Sequence, residues 1–309
     1  MDRFPRTTAR PFPEVEGVQH RFVDAAGLRM HVAEAGAGDP MVLLHGWPQH
    51  WYLWRDVIPA LSRHYRVICP DLRGLGWTDA PPRGYEKESM AADIVNLLDA
   101  LGLEQVKLIG HDWGGWCGFL ICLHHPERIE RFLALNIPPP WGKLNLKTIL
   151  AVRRFWYQWV LASPLGYRLL TKRSHVLRRG LRSASPRADT WTDQELDEFI
   201  QPLEAPERAR ATQQIYRTFT LREFPKLARG AYESYRLTTP THLLFGEKDL
   251  ASGTALLSGY EPYVDDFKLE LVPDTGHFIV DERPELVTER ALQFFGAGRP
   301  AAKRRRAAF

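Results

Sequence analysis

Gly110-His111-Asp112-Trp113-Gly114-Gly115 follows directly on the apolar run Val106-Lys107-Leu108-Ile109. The order reads as strand, sharp turn, helix, with small residues on both sides of one central side chain. A turn this tight collides with any larger neighbour, so glycine flanks it, and the central side chain is pushed outward where a second molecule can meet it. Serine is the usual occupant of such a turn, but here it is Asp112. A carboxylate in that place attacks an electrophilic carbon and leaves an ester on the protein, which water must then cleave. The ordinary alternative for an aspartate after a strand is a helix cap or turn former. A cap requires neither Gly110 nor the Gly114-Gly115 pair, so the stretch predicts a hydrolase working through an aspartyl ester.

Working outward, Met41-Val42-Leu43-Leu44, Val67-Ile68-Cys69 and Phe132-Leu133-Ala134-Leu135 are further short apolar runs of the kind buried on both faces of a sheet. Met90, Ile94, Leu97, Leu98 and Leu101 fall at helical spacing between them, as do Trp113, Trp116, Cys117, Leu120 and Ile121 after the turn. This alternation predicts an α/β fold with a mostly parallel sheet covered by helices. Ahead of it, Gln19 to Asp24 and Leu28 to Glu34 read as an antiparallel hairpin turning through Gly27. From about Pro138 to about Leu237 the strand pattern stops and only helical signals remain, including the capping box Thr192-Asp193-Gln194-Glu195 and a helix opened by Pro206-Glu207 that runs through Tyr216. Strands resume at Thr241 to Phe245 and Lys268 to Val272, and a helix from Pro284 to Phe295 follows. The expected organisation is one α/β core of residues 1–137 and 238–309, interrupted by an all-helical lid of residues 138–237.

Charged residues at 25% and hydrophobic residues at 44% suit a water-soluble globular chain. The net charge of +4 would suggest an anionic partner, but Lys303, Arg304, Arg305 and Arg306 account for it in one terminal cluster. That tail reads as a solvated end, and no nucleic-acid motif accompanies it, so no nucleic-acid partner is expected. The basic lid segment Lys172 to Arg182 reads as a solvated face. Cys69, Cys117 and Cys122 are odd in number, lie in apolar segments and lack metal-ligand spacing, which implies small buried hydrophobes, no metal and a reducing compartment. The N-terminal residues hold no apolar stretch of signal-peptide type, and no segment approaches the roughly 20 apolar residues of a membrane span. A cytoplasmic location is the expectation, with a homodimer left open.

An ester on Asp112 requires a general base to activate water. His277, in Asp274-Thr275-Gly276-His277-Phe278 after the last strand, sits where the loops of an α/β sheet converge. His45 and His111 are its rivals, each inside a turn whose shape the motif needs. Behind the base a carboxylate must fix the tautomer, and Gly246-Glu247-Lys248-Asp249 offers Asp249, with Glu247 as the competitor. The chain order nucleophile, acid, base is that of α/β-hydrolases. His45-Gly46-Trp47-Pro48 closes the Met41 to Leu44 strand, and Trp47-Pro48 is expected to be cis. The backbone N–H groups of Trp47 and Trp113 would then form an oxyanion hole.

Taken together, these motifs resemble the soluble epoxide hydrolases of the α/β-hydrolase fold, from about Val18 to Phe295. The resemblance rests on His45-Gly46-Trp47-Pro48 with Trp51 and Trp54-Arg55, on Asp71-Leu72-Arg73-Gly74 with Trp77 and Asp79, and on the Gly110 to Gly115 turn. Gly246 to Asp249 and Gly276-His277-Phe278 complete it. It implies a cofactor-independent reaction in which two lid tyrosines protonate the oxygen that leaves the epoxide. Phe155-Trp156-Tyr157-Gln158 and Ile215-Tyr216-Arg217 match the two tyrosine motifs, which makes Tyr157 and Tyr216 the donors. Trp47, Trp113 and Trp156, with Trp141 and Trp159, suggest an aromatic cleft for a lipophilic epoxide. A haloalkane dehalogenase would share Asp112, His277 and Trp113 but carries no need for the tyrosine pair. A non-catalytic small-molecule receptor of this fold would have no need of the triad.

Overall fold

The computed structural model describes residues 10–141, 155–251 and 253–296; the basic cluster Lys303 to Arg306 lies outside them. Eight strands form one sheet: β1 (Gln19–Ala25), β2 (Leu28–Ala35), β3 (Pro40–Leu44), β4 (Arg66–Pro70), β5 (Val106–His111), β6 (Ile129–Leu135), β7 (Thr241–Gly246) and β8 (Phe267–Val272). Their spatial order is β1-β2-β4-β3-β5-β6-β7-β8. β2 runs against both of its neighbours, and the remaining pairings are parallel. All the sequence-expected strands are present, and the Gly27 hairpin is the β1–β2 pair.

Two core helices, α1 (Lys87–Ala100) and α2 (Asp112–His124), pack together on one face of the sheet, and a later helix, Pro284–Phe295, covers the other. Packing on both faces explains why β5 and β7 are buried along their whole length, whereas β1, at the edge, alternates with solvent. Cys69, Cys117 and Cys122 are buried and unpaired, as small hydrophobes would be. Between β6 and β7 lie α3 (Trp156–Ala162), α4 (Pro164–Lys172), α5 (Ser174–Ala184), α6 (Asp193–Ile200) and α7 (Pro206–Thr218), followed by a π-helical turn, Phe219–Glu223. A last helix, α8 (Pro284–Phe295), packs behind the sheet. Thr192 and Glu195 form the expected capping box on α6. The segment Lys172 to Arg182 departs from a purely solvated face. Arg182 pairs with Asp193 at 2.7 Å, and Arg178 pairs with Asp193 and Asp197, so opposite charge stitches α5 to α6. No described helix is long and apolar enough to cross a membrane.

The chain leaves β3 toward β4 on one side and later reaches β5 on the other, so the sheet order reverses at β3. Crevices at such reversals, beyond the carboxyl ends of the strands, are where α/β sheets hold ligands. Leu44 of β3 is in register with Gly110 of β5, which brings the two following turns into contact. Gly114 makes that contact possible: a Cβ there would overlap the carbonyl oxygens of Leu44 and His45, both backbone and unable to yield.

Gly114→Ala should therefore destabilise the chain by about 3 kcal/mol or prevent folding. Gly180→Ala, in the exposed interior of α5 with open space around it, should stabilise it by about 0.5–1 kcal/mol. Urea unfolding of the two variants checks both, and a tolerated Gly114→Ala would contradict the turn-on-turn packing.

Candidate active site

Asp112 begins α2 with a φ of 49°, in the left-handed region that a side chain tolerates only when its surroundings impose it. Its carboxylate is held from two sides. The Trp47 backbone N–H donates to Oδ2 at 2.9 Å, and the Trp113 backbone N–H donates to the same carboxylate. The Trp47-Pro48 peptide is cis, as expected. Gly46 has no room for a side chain, because a Cβ there would fall on the Asp112 carboxylate.

Facing the other oxygen, His277 Nε2 lies 3.8 Å from Asp112 Oδ1, while His277 Nδ1 donates to Asp249 Oδ2 at 3.0 Å. Asp249 is buried, and the Ala251 backbone N–H donates to its Oδ1 at 2.7 Å. Glu247, the competing acid, is exposed. The rival histidines have other tasks. His45 Nε2 accepts from the Leu72 N–H at 3.0 Å, so its Nδ1–H donates to the Gly46 carbonyl at 2.9 Å. His111 Nε2 donates to the His277 carbonyl at 2.8 Å, and burial pushes its pKa down to about 3. Both are neutral braces.

Electrostatics follow from this crowding. Burial alone would lower the His277 pKa. The charge and hydrogen bond of Asp249, with the charges of Asp112 and Glu282, outweigh it and raise the value to about 9. Burial raises Asp112, against the pull of His277 and the two N–H donors. The same neighbours thus favour a protonated His277, while burial works against ionisation of Asp112.

The two expected phenols meet above this group. Tyr216, on the last turn of α7, is 2% exposed. Its ring packs edge-on to Trp47 at 5.3 Å and to Trp113 at 5.8 Å. Tyr157, on α3, is half-buried and packs edge-on to Tyr216 at 6.2 Å. Burial, with the nearby charge of Asp112, raises both phenols above their ordinary range, so each holds its proton at neutral pH.

Trp156 is not with them. It is 67% exposed, and Trp159 is 54% exposed. Neighbouring residues on a helix point about 100° apart, so a helix that turns Tyr157 inward turns Trp156 out. Trp141 is buried elsewhere, donating to the Tyr232 carbonyl at 2.7 Å and stacking on Tyr263. The aromatic wall is instead Trp47, Trp113, Tyr157, Tyr216 and Phe219, whose ring lies 4.8 Å from Trp113.

Sequence reading missed Asn136. Its side-chain amide donates to Asp249 Oδ2 at 2.8 Å and to the Gly276 carbonyl at 3.0 Å, fixing the acid and the loop of the base together. A polar asparagine ending the buried β6 run, at a φ of 48°, was the available signal. The Asp71 motif also acts at a distance. Asp71 accepts the backbone N–H groups of Trp51 and Trp77 and the ring N–H of His31, at 2.8, 2.9 and 2.7 Å. It thereby anchors the strand end whose next residue, Leu72, holds His45.

The model of the alpha/beta hydrolase fold family matches residues 39–284. A soluble epoxide hydrolase of Corynebacterium sp. (strain C12) is 32% identical over 292 residues, covering 90% of this chain and 97% of that protein. Epoxide hydrolase 4 of Homo sapiens is 29% identical over 289 residues, covering 87% of this chain and 76% of that protein. Among solved structures, the epoxide hydrolase CorEH without ligand superposes with a TM-score of 0.77 at 32% identity, over 90% of this chain and 98% of its own.

Because folding raises the His277 pKa from 6.5 to about 9, the interaction adds stability that is fully present below pH 6.5 and lost as pH rises through about 9. Asp249→Asn should flatten that decline in urea unfolding measured across this range. A variant whose stability falls in parallel with the parent would remove Asp249 as the principal cause.

Proposed function

Since the chain belongs to the soluble epoxide hydrolase family of the α/β-hydrolase fold, we propose that it hydrolyses a lipophilic epoxide to a vicinal diol through an ester on Asp112. One observation carries the reading: Tyr216 packs against both Trp47 and Trp113, the two residues whose backbone N–H groups hold Asp112. This packing supports a proton donor and a nucleophile acting on one substrate, and the Asp112 charge is close enough to act on the Tyr216 phenol. Halide displacement would use Asp112 and His277 equally well but gives two buried, protonated phenols nothing to do.

In the first step Asp112 Oδ1 attacks an oxirane carbon. The carbon–oxygen bond breaks, and the oxygen takes its proton from Tyr216 or Tyr157, since an alkoxide is too basic to leave unassisted. Such acid help accelerates a reaction by roughly 10²–10⁴-fold. Oδ2 stays in the grip of the Trp47 N–H and becomes the ester carbonyl oxygen. Ester formation then removes the Asp112 charge that helped to raise the His277 pKa. The imidazolium gives up its proton more readily, returning it by way of solvent to the phenolate left by ring opening, and becomes a neutral base oriented by Asp249. It activates water for attack at the ester carbonyl carbon. Negative charge develops on Oδ2, where each backbone donor stabilises it by ~3 kcal/mol. Collapse releases the diol and regenerates the carboxylate. The ring walls of Trp47, Trp113 and Phe219 suit an apolar substrate.

His277→Gln should stop the second step and not the first, so intact mass after exposure to styrene oxide should rise by one substrate and the label should map to Asp112. An unlabelled variant would contradict the two-step scheme. Tyr157→Phe with Tyr216→Phe should lower epoxide turnover by at least about 10²-fold with unfolding unchanged. A folded double variant that still makes diol at the parent rate would send the assignment back to the other reactions of this fold.

A further inference from the structure

Lys87 opens α1, is fully buried, and has no task in the reaction described above. An ammonium carries three protons, and each is placed. They go to the Tyr85 carbonyl at 3.1 Å, the Ile215 carbonyl at 2.8 Å and Glu223 Oε2 at 3.1 Å. The other oxygen of the same carboxylate accepts the Lys87 backbone N–H at 2.6 Å, so Glu223 holds the residue at both ends. The ammonium also stands over the Trp113 ring, 4.7 Å from its centre, and 5.7 Å from that of Phe219.

As a purely structural choice this cation is poorly placed. The first turn of a helix carries partial positive charge and disfavours another. Removing an ammonium from water is costly, and an apolar pair of similar volume commonly replaces a buried ion pair without loss of stability. What the charge does supply is connection. Ile215 immediately precedes Tyr216, Trp113 immediately follows Asp112, and Glu223 ends the π-helical turn Phe219–Glu223. Such turns recur at functional sites because they re-aim the side chains around them.

We propose that Lys87 is a positioning residue for ring opening, locking the Trp113 indole and the Ile215–Tyr216 turn of α7 into one arrangement so that the Tyr216 hydroxyl reaches the epoxide oxygen as Asp112 attacks. The inference rests on the reading of Tyr216 as a proton donor. Lys87 reaches the substrate only through Tyr216: one of its bonds sets the height of the phenol, and its contact with the Trp113 indole holds the ring against which that phenol packs. Ester hydrolysis, which uses His277 and water, does not call on Tyr216 and is spared.

The test is a double-mutant cycle read in single turnovers with styrene oxide, following ester formation separately from ester hydrolysis. Lys87→Met should slow ester formation by at least about tenfold, as expected for a misplaced reacting group, and leave ester hydrolysis within about twofold. In a Tyr216→Phe background the same substitution should change neither step, because the group it positions is gone. Should Lys87→Met fail to fold, Glu223→Gln is read in the same cycle, with a smaller loss that also disappears in Tyr216→Phe. A folded variant that forms ester at the parent rate, or that loses as much with Tyr216→Phe as without it, overturns the inference and leaves the proposed reaction standing. If Tyr216→Phe alone forms ester at the parent rate, the donor assignment falls and the inference falls with it.

Discussion

The site depends on one close approach: the turn after β3 lies against the turn after β5, near enough for the Trp47 N–H to hold Asp112 Oδ2. Parallel pairing of the two strands sets their ends level, and glycine at Gly46 and Gly114 removes the atoms that would hold the turns apart. The strained backbone of Asp112 is stabilised by that contact and has no local reason to persist without it. Position and proposed chemistry therefore coincide here, because the donor that holds the carboxylate in place is the one proposed to meet the oxyanion.

Around that contact the protein buries Asp112, Asp249, His277 and Glu282 within a few residues' reach of one another. Each alone would be driven to its neutral form by desolvation. Mutual compensation offsets part of that cost, reinforced by Asn136, the Ala251 N–H and the Gly276 N–H that donates to Glu282 at 2.6 Å. Compensation of this kind is sensitive to any change in charge. In the proposed reaction, converting one carboxylate to an ester would unbalance the rest and release the base at the moment it is required.

How much of this could be read from the sequence follows from the range of the interactions. The sheet was legible because apolar runs and turn glycines are local signals, and so was the Asp112 turn, whose glycine pattern lies within six residues. Asp249 was preferred to Glu247 from its place after the penultimate strand, and burial is what distinguishes the two carboxylates of that loop in the structure. Trp156 was misjudged because the sequence tells which residues an amphipathic helix carries but not which face its neighbours cover. Asn136 escaped notice because its meaning lies in a partner 113 residues away. Arg178 and Arg182 looked like solvent-facing charge until α6 was placed beside α5.

The two proposed proton donors and the proposed triad stand on different supports: Tyr157 and Tyr216 on helices inserted between β6 and β7, Asp112, Asp249 and His277 on the rim of the sheet. Asn136 fastens the acid to its neighbouring strand end and to the loop of the base, not to those helices. Outward drift of the insertion would disarm the cleft toward fresh substrate while the machinery for cleaving an adduct stayed whole. An intermediate of the proposed reaction would then be cleared whichever way the roof happened to sit, which would guard the protein against stalling in an alkylated form.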